Sequence, residues 1–427
     1  MQCTDRRSSR AESAGTPTIA VWGLGYIGLT STRALLDAGY GVVGVDSNSS
    51  RHEQLAADAV VLNATTRFAV DVRPDLAAKR LMIVDRLEEQ LDAHFVCVPT
   101  EVVGVPTHEF VESVLRQISA LGGEPVIIIE STLAPQWLGA DVYRDLRIAI
   151  APRRDWFHSP DHTVQSLTRI CASDDQTTLS RALAILRTVS RDVVPSQDPV
   201  AAVIAKSFEN SLWYILFSFV DELADAIPNA DLVEALRLAA TNWRLPVRFD
   251  LEFQVGGYCL PLAAQYLQTA TSAGGSLILD AATSANRRVL HAVLDRVLRA
   301  PRSRSVLVLG LAYRPDLKIT TNSAGVTLIS ACKAAGLRVF AHDPLFSPTE
   351  TVSITGAPYL DPLATDADFD CIIVCTPHEQ YADERLAVAL RRIPTLRRII
   401  ESRGTLRDVA REHPNDIDYY CLGTTEW

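Results

Sequence analysis

Thr18-Ile19-Ala20-Val21-Trp22-Gly23-Leu24-Gly25-Tyr26-Ile27-Gly28 is the stretch whose reading decides the fold. Thr18 to Val21 reads as a short apolar strand. The glycine run then opens a helical stretch that lasts to Asp37-Ala38-Gly39. A second strand, Gly41 to Val45, ends at Asp46. Strand, glycine turn, helix and strand in this order make the dinucleotide-binding fingerprint. Gly23 permits the tight turn, Gly25 lets a pyrophosphate approach the backbone, and Gly28 lets helix and strand pack closely. The helix N-terminus then offers partial positive charge to the phosphates, with Tyr26 and Ile27 among the expected cofactor-binding residues. Asp46 stands 18 residues after Gly28, where a carboxylate accepts hydrogen bonds from ribose hydroxyls. That charge favours NAD over NADP, with Arg51 as a nearby basic group that opposes the preference. The competing reading of Asp46 is a cap on the turn after the strand.

Outward from this unit, Phe95 to Val98 and Pro125 to Ile129 are continuous apolar runs, as strands buried on both faces are. They end in Pro99-Thr100 and in Glu130-Ser131-Thr132. Ligands of open parallel sheets bind beyond the carboxyl ends of the strands, so Thr100, Glu130 and Thr132 are candidates for a cleft. Local helix capping is the competing reading of the hydroxyl residues. Asp198-Pro199 starts a long helix that runs to about Ala226. Lys206 and Asn210 share one face of it, and an ammonium beside an amide can hold a developing oxyanion. A solvated pair is the plain alternative. Strands at 305–310, 337–341 and 370–375, with a helix over 323–336, predict a second α/β unit. The fold class expected is therefore α/β: two Rossmann-like doubly wound parallel-sheet domains joined by a central helical segment with a long helix. The expected boundaries are a disordered tail over 1–16, an NAD-binding domain over 17–197, a central helical dimerisation and catalytic segment over 198–300, and a C-terminal Rossmann-like domain over 301–427.

Composition fits this picture. The 427 residues are 48% hydrophobic and 22% charged, ordinary for globular domains, and the net charge of -10 disfavours broad nucleic-acid binding. Eight cysteines are scattered without a C-x-x-C pair, which reads as reduced thiols and no metal site. The first sixteen residues are polar and carry three arginines, unlike a secretion signal. The longest apolar run, Leu212 to Val220, is too short to span a bilayer. The expectation is a cytoplasmic protein without nucleic-acid or membrane partners.

Gly256-Gly257-Tyr258-Cys259-Leu260-Pro261 is the second stretch that carries chemistry. Paired glycines let a backbone turn tightly and a ligand come close, so Cys259 reads as a thiol presented from a loop. A buried, inert cysteine is the competing reading.

The motifs Gly23-Leu24-Gly25-Tyr26-Ile27-Gly28, Val98-Pro99-Thr100, Glu130-Ser131-Thr132, Lys206-x-x-x-Asn210 and Gly256-Gly257-x-Cys259-Leu260-Pro261 occur in this order. Together they resemble the nucleotide-sugar dehydrogenases that oxidise UDP-glucose, UDP-N-acetylmannosamine or GDP-mannose at C6. The resemblance continues through Val306 to Asp316, Asp343-Pro344 and Thr376-Pro377-His378. It implies an NAD-dependent homodimer acting on a nucleotide sugar, with a UDP-hexose as first choice, in which Cys259 attacks an aldehyde and a thioester is then hydrolysed to the uronic acid. By the same resemblance Lys206 would steady the oxyanion and favour the thiolate. Asn210 would position the reacting oxygens, and Glu130 and Thr100 would order water or move protons. Phe249, Gly256, Gly257, Tyr313 and Arg314 would help Lys206 and Asn210 hold the substrate, and Arg244 would reach the partner subunit's sugar site. Arg153 or Arg154, where the family carries a Pro-Glu motif, would contact an anionic ligand or form a basic surface loop. The sequence departs from the family pattern at Ala263, where the family has Asp, at Thr321, where it has Arg, and in Phe253-Gln254-Val255, which lacks an earlier Gly and Pro. Three outcomes follow: full oxidation with Glu130 or Glu209 doing the proton work, a two-electron oxidation alone, or a binding protein without turnover.

Overall fold

In the computed structural model, which describes residues 17–63, 68–155, 162–227, 229–245, 249–271, 275–299, 305–363 and 368–427, the fingerprint strand lies inside an eight-stranded sheet. The tail over 1–16 and the Trp156-Phe157 pair lie outside the described residues. The strands are β1 (Thr18–Trp22), β2 (Gly41–Val45), β3 (Leu81–Val84), β4 (Ala93–Val96), β5 (Val126–Ile129), β6 (Arg147–Ile150), β7 (Arg169–Ala172) and β8 (Val193–Ser196), in the order β8-β7-β6-β5-β4-β1-β2-β3. Every neighbouring pair is parallel except β6 with β7. Alternate residues feed opposite faces. Val21, Phe95 and Ile128 join one core with Leu29, Leu35 and Leu36 of α1 (Tyr26–Asp37), while Trp22, Val96 and Ile127 join the other. Strand order reverses at β1, which leaves a crevice beyond the carboxyl ends of β1 and β4. The antiparallel β7 pairs its last residue, Ala172, with the last residue of β6, Ile150, and this puts Arg169 beyond the same edge.

The central segment is helical. α2 (Pro199–Ala226) starts as read, with the Asp198 side chain accepting from Ala201 N and Pro199 in its first turn. α3 (Leu232–Ala239) follows, and α2 packs against α4 (Cys259–Thr269) and α5 (Leu277–Leu298). Among the described residues no helix is long and apolar enough to cross a membrane.

A second sheet, entirely parallel, has the order β10-β9-β11-β12-β13, with β9 (Ser305–Leu309), β10 (Arg338–His342), β11 (Cys371–Val374), β12 (Arg398–Glu401) and β13 (Asp418–Cys421). It repeats the fingerprint's mechanics. Gly310 has φ +96°, and a Cβ on Gly325, in α6 (Ala324–Ala334), would stand 2.0 Å from the Gly310 carbonyl oxygen. Asp343 accepts from Leu311 N and Ala312 N at 2.7 and 2.9 Å. Asp343 is wholly buried and also accepts from His378 Nε2 at 3.0 Å. The second unit thus keeps the architecture of a nucleotide fold and turns its acidic residue inward.

Candidate active site

The glycine turn fits a dinucleotide. Gly23 has φ +83°, and a Cβ there would meet Cys97 O at 2.9 Å. On Gly28 a Cβ would fall 1.8 Å from Gly23 O, whereas on Gly25 it would meet nothing within 4 Å. Gly28 is thus required by packing, and Gly25 faces open space. α1 carries no side-chain cap and no acidic residue in its first turn, so its N-terminal N–H groups face that space. Asp46 Oδ2 accepts from Leu24 N at 2.8 Å and Oδ1 from Asn48 N at 3.0 Å. A carboxylate has about four lone-pair sites, so Asp46 both fixes the turn and retains acceptors for a ribose. Arg51 is engaged elsewhere, donating through Nε to Leu24 O at 2.8 Å. Gly28→Ala is expected to overpack this turn by ~1–3 kcal/mol. NAD affinity should fall at least ~5-fold by equilibrium titration, and wild-type affinity in that variant would refute the packing argument.

Glu130 lies where it was expected, beyond β5, but it is not free. Arg169 Nη2 donates to its Oε1 at 2.6 Å and Arg153 Nη1 to its Oε2 at 3.1 Å. The Ser31 hydroxyl of α1 donates to Oε2 as well, and Cys97 Sγ stands 3.4 Å away. Burial pushes this carboxyl up, but the two guanidinium groups and Ser31 overcome it and hold it at about 2. Such a carboxylate is a poor proton acceptor at neutral pH while both arginines hold it, which weighs against the expected proton-transfer role. Arg153 is likewise engaged within the protein and is not part of a surface loop. It is buried and bonded to Glu130, Asp155, Ser31 and Thr30. Arg154 pairs with Glu209, so the substitute base expected there is also engaged.

Cys259 is exposed, and it is not in a loop: it is the first residue of α4. Pro261 sits in that helix's first turn, a common position for proline. Asn210 Nδ2 lies 3.4 Å from Cys259 O, with Lys206 one turn earlier on α2. Thr100 and Tyr266 of α4 interlock: their hydroxyls are 2.9 Å apart and Tyr266 Oη donates to Thr100 O at 3.0 Å. Ala263, in place of the family's Asp, is buried. Thr132 is half-buried beyond β5. The paired glycines are approached closely by protein: a Cβ on Gly257 would lie 2.7 Å from the Tyr313 ring. Arg314 is close enough to act electrostatically on Glu252, which Arg403 binds at 2.8 Å. Phe249 stacks edge-on with Phe217 and lines a cavity of ≈ 870 Å³ with Leu251, Arg237 and Arg403. Arg244 is exposed, with its guanidinium over the Trp243 ring at 5.0 Å.

Several groups that hold the site were invisible to the motif reading. Asn286 of α5 accepts from Val255 N at 2.7 Å and donates to Val255 O at 3.3 Å. Asp221 of α2 accepts from Glu252 N at 3.1 Å, and burial raises its carboxyl pKa well above the usual range. A polar residue in the apolar phase of each helix was the available signal.

The fold and site define a two-lobed, dinucleotide-dependent oxidoreductase with a cysteine at a helix start. Comparison with known proteins makes the class specific. The family described as "UDP-glucose/GDP-mannose dehydrogenase family, NAD binding domain" matches residues 17–143, and its UDP binding domain matches 307–407. The UDP-N-acetyl-D-mannosamine dehydrogenase of Pyrococcus horikoshii is 24% identical over 398 residues, covering 85% of this chain and 90% of that protein. The UDP-glucose 6-dehydrogenase of Rhizobium meliloti is 23% identical over 402 residues, with 85% and 90% covered. The solved UDP-D-ManNAc dehydrogenase structure from P. horikoshii superposes with a TM-score of 0.78 at 21% identity, over 96% of this chain and all of that one. The chain belongs to the UDP-glucose/GDP-mannose dehydrogenase family, and its cofactor is NAD.

Proposed function

We propose that the protein oxidises the C6 primary alcohol of a nucleotide sugar, a UDP-hexose first, with Cys259 as covalent nucleophile. The observation that carries this is the exposed Cys259 at the first position of α4, with Asn210 on its carbonyl and Lys206 on the same face of α2. NAD supplies the hydride acceptor when bound at the Gly23–Gly28 turn. The residues do the rest. Lys206 and Asn210 bind the reacting oxygen and stabilise negative charge on it as the hydroxyl proton passes to a water molecule. The alcohol loses two electrons and becomes an aldehyde. The Cys259 thiolate adds to that carbonyl, the adduct loses a second hydride, and water releases the acid and restores the thiol. Four electrons leave the sugar in all. Glu130 serves here as a positioning residue that ties α1 to β5, to β7 through Arg169, and to the segment after β6 through Arg153. The C-terminal unit, with Tyr313 and Arg314, closes over the sugar nucleotide.

A two-electron reading also draws on a specific observation, since Glu130 and Glu209 are both arginine-bound and position 263 is Ala. A second copy of the chain is the proposed partner. Val200, Ile204, Phe208, Leu212 and Phe219 form an exposed apolar stripe along α2, and Arg244 would cross from that copy.

The test is NADH formation from UDP-, GDP- and dTDP-hexoses with product mass recorded. Two NADH per sugar and a product with one oxygen more and two hydrogens fewer are expected. One NADH and an aldehyde select the two-electron reading, and no turnover on any sugar nucleotide would sink both.

A further inference from the structure

The C-terminal unit rests directly on the two glycines before Cys259. A Cβ on Gly256 would stand 2.6 Å from Asn322 O, and one on Gly257 would enter the Tyr313 ring. Both polar groups of Gly257 are taken by the same short segment: Gly257 N donates to Thr321 O at 2.9 Å, and Asn322 Nδ2 donates to Gly257 O at 2.8 Å. Asn322 holds φ +50°, a left-handed conformation that costs a non-glycine residue on the order of 1 kcal/mol and persists where surrounding contacts impose it. Its Oδ1 faces the hairpin Glu101–Val102/Val105–Pro106 of the first unit: a Cβ on the tip residue Gly104 would stand 3.2 Å from it. Gln265 of α4 donates to Gly104 O at 3.2 Å. One amide thus stands where the NAD-binding unit, the cysteine loop and the C-terminal unit meet.

We propose that Asn322 is a positioning residue for Cys259, acting through the Gly257 carbonyl. The start of α4 needs such a hold. Its N-cap, Tyr258, makes no side-chain cap bond, so the direction in which the helix leaves the loop is set by what grips the loop. Asn286 grips it at Val255 from the central helices. Asn322 grips it two residues before the thiol, and it does so from the unit that matches the family's UDP binding domain. The position of that unit is thereby transmitted to the nucleophile. The inference rests on Cys259 being the nucleophile, as proposed above.

The test uses the full chain with Asn322→Ala and Asn322→Gly. Both remove the amide, and glycine also removes the left-handed strain, so the Gly variant keeps the proposal testable if the Ala variant folds poorly. Two readouts are taken: kcat and KM on the best sugar nucleotide, and the rate of iodoacetamide alkylation of the Cys259-containing peptide by mass spectrometry. The expected result in both variants is a kcat ~10–100-fold lower, an unchanged KM for NAD, and slower alkylation. Wild-type kcat and alkylation in Asn322→Gly overturn the role, even if Asn322→Ala is impaired, because strain alone then explains the loss. If the unaltered protein turns over none of the sugars while alkylation slows in both variants, the positioning role stands and the proposed reaction falls.

Discussion

Cys259→Ser is expected to remove the second oxidation almost completely while leaving the first measurable. The initial hydride leaves a primary alcohol and needs only a bound cofactor, an oriented hydroxyl and the Lys206–Asn210 pair. The second requires a covalent adduct of the aldehyde. A serine hydroxyl at the same first position of α4 is a much weaker nucleophile than a thiolate, and among the described residues no histidine is bonded to it. The rate of the second NADH should fall by ~10³-fold or more, with the aldehyde appearing in the product spectrum. NAD affinity should stay unchanged, since the cofactor turn is formed by Gly23, Gly25, Gly28 and Asp46, far along the chain. Two NADH per sugar from Cys259→Ser would remove the cysteine from the mechanism. The same result would point to a dehydrogenase that needs no thiol, for which Gly256-Gly257-x-Cys259 is only a packing motif.

The parts legible in the sequence were those with local causes. Gly23, Gly25 and Gly28 sit between two apolar strands, and each glycine has a steric or open-space reason visible in the fold. Asp198-Pro199 announced α2 because capping and proline chemistry act within one turn. The long-range causes were not legible. Gly256 and Gly257 were read as room for a ligand, since glycine spacing shows that something comes close without showing what. The close groups are Tyr313 and Asn322, more than fifty residues away. The buried guanidinium groups around Glu130 were missed for a topological reason. β7 is the one strand that runs against its neighbour β6, and this reversal brings Arg169 back to the edge where Glu130 and Arg153 lie. A chain of apolar strands alone reads as uniformly parallel.

That buried cluster carries the second large effect. Glu130→Gln is expected to destabilise the fold by ~3–5 kcal/mol, because the amide leaves Arg169 in the interior without its countercharge and Arg153 with Asp155 alone. Arg169 is already short of partners, with Nε and Nη1 unbonded in the interior. The pH dependence follows with a definite sign. The carboxyl is held at about 2 in the fold, below its ordinary value of 4.5, so the folded state binds the proton less readily than the unfolded chain. Its contribution is complete above pH 4.5 and is lost as pH falls toward 2, a gap worth ~3 kcal/mol. Denaturant melts at pH 7 and pH 3 should show wild type losing about two-thirds of that increment, ~2 kcal/mol, and Glu130→Gln losing less. The same variant separates structure from chemistry. Assayed below its melting temperature, Glu130→Gln should keep kcat within ~10-fold of wild type, because a carboxylate bound by two arginines takes no proton near neutrality. A fall of ~10²–10⁴-fold in a folded, NAD-binding Glu130→Gln would restore the proton-transfer role and show that the arginines leave Glu130 during turnover. Glu130→Gln combined with Arg169→Met removes the stranded charge, since Glu130 is the only carboxylate bound to Arg169 among the described residues. It should recover part of the lost stability, and a combined cost equal to the sum of the two single costs would mean that Glu130 and Arg169 do not act as a pair.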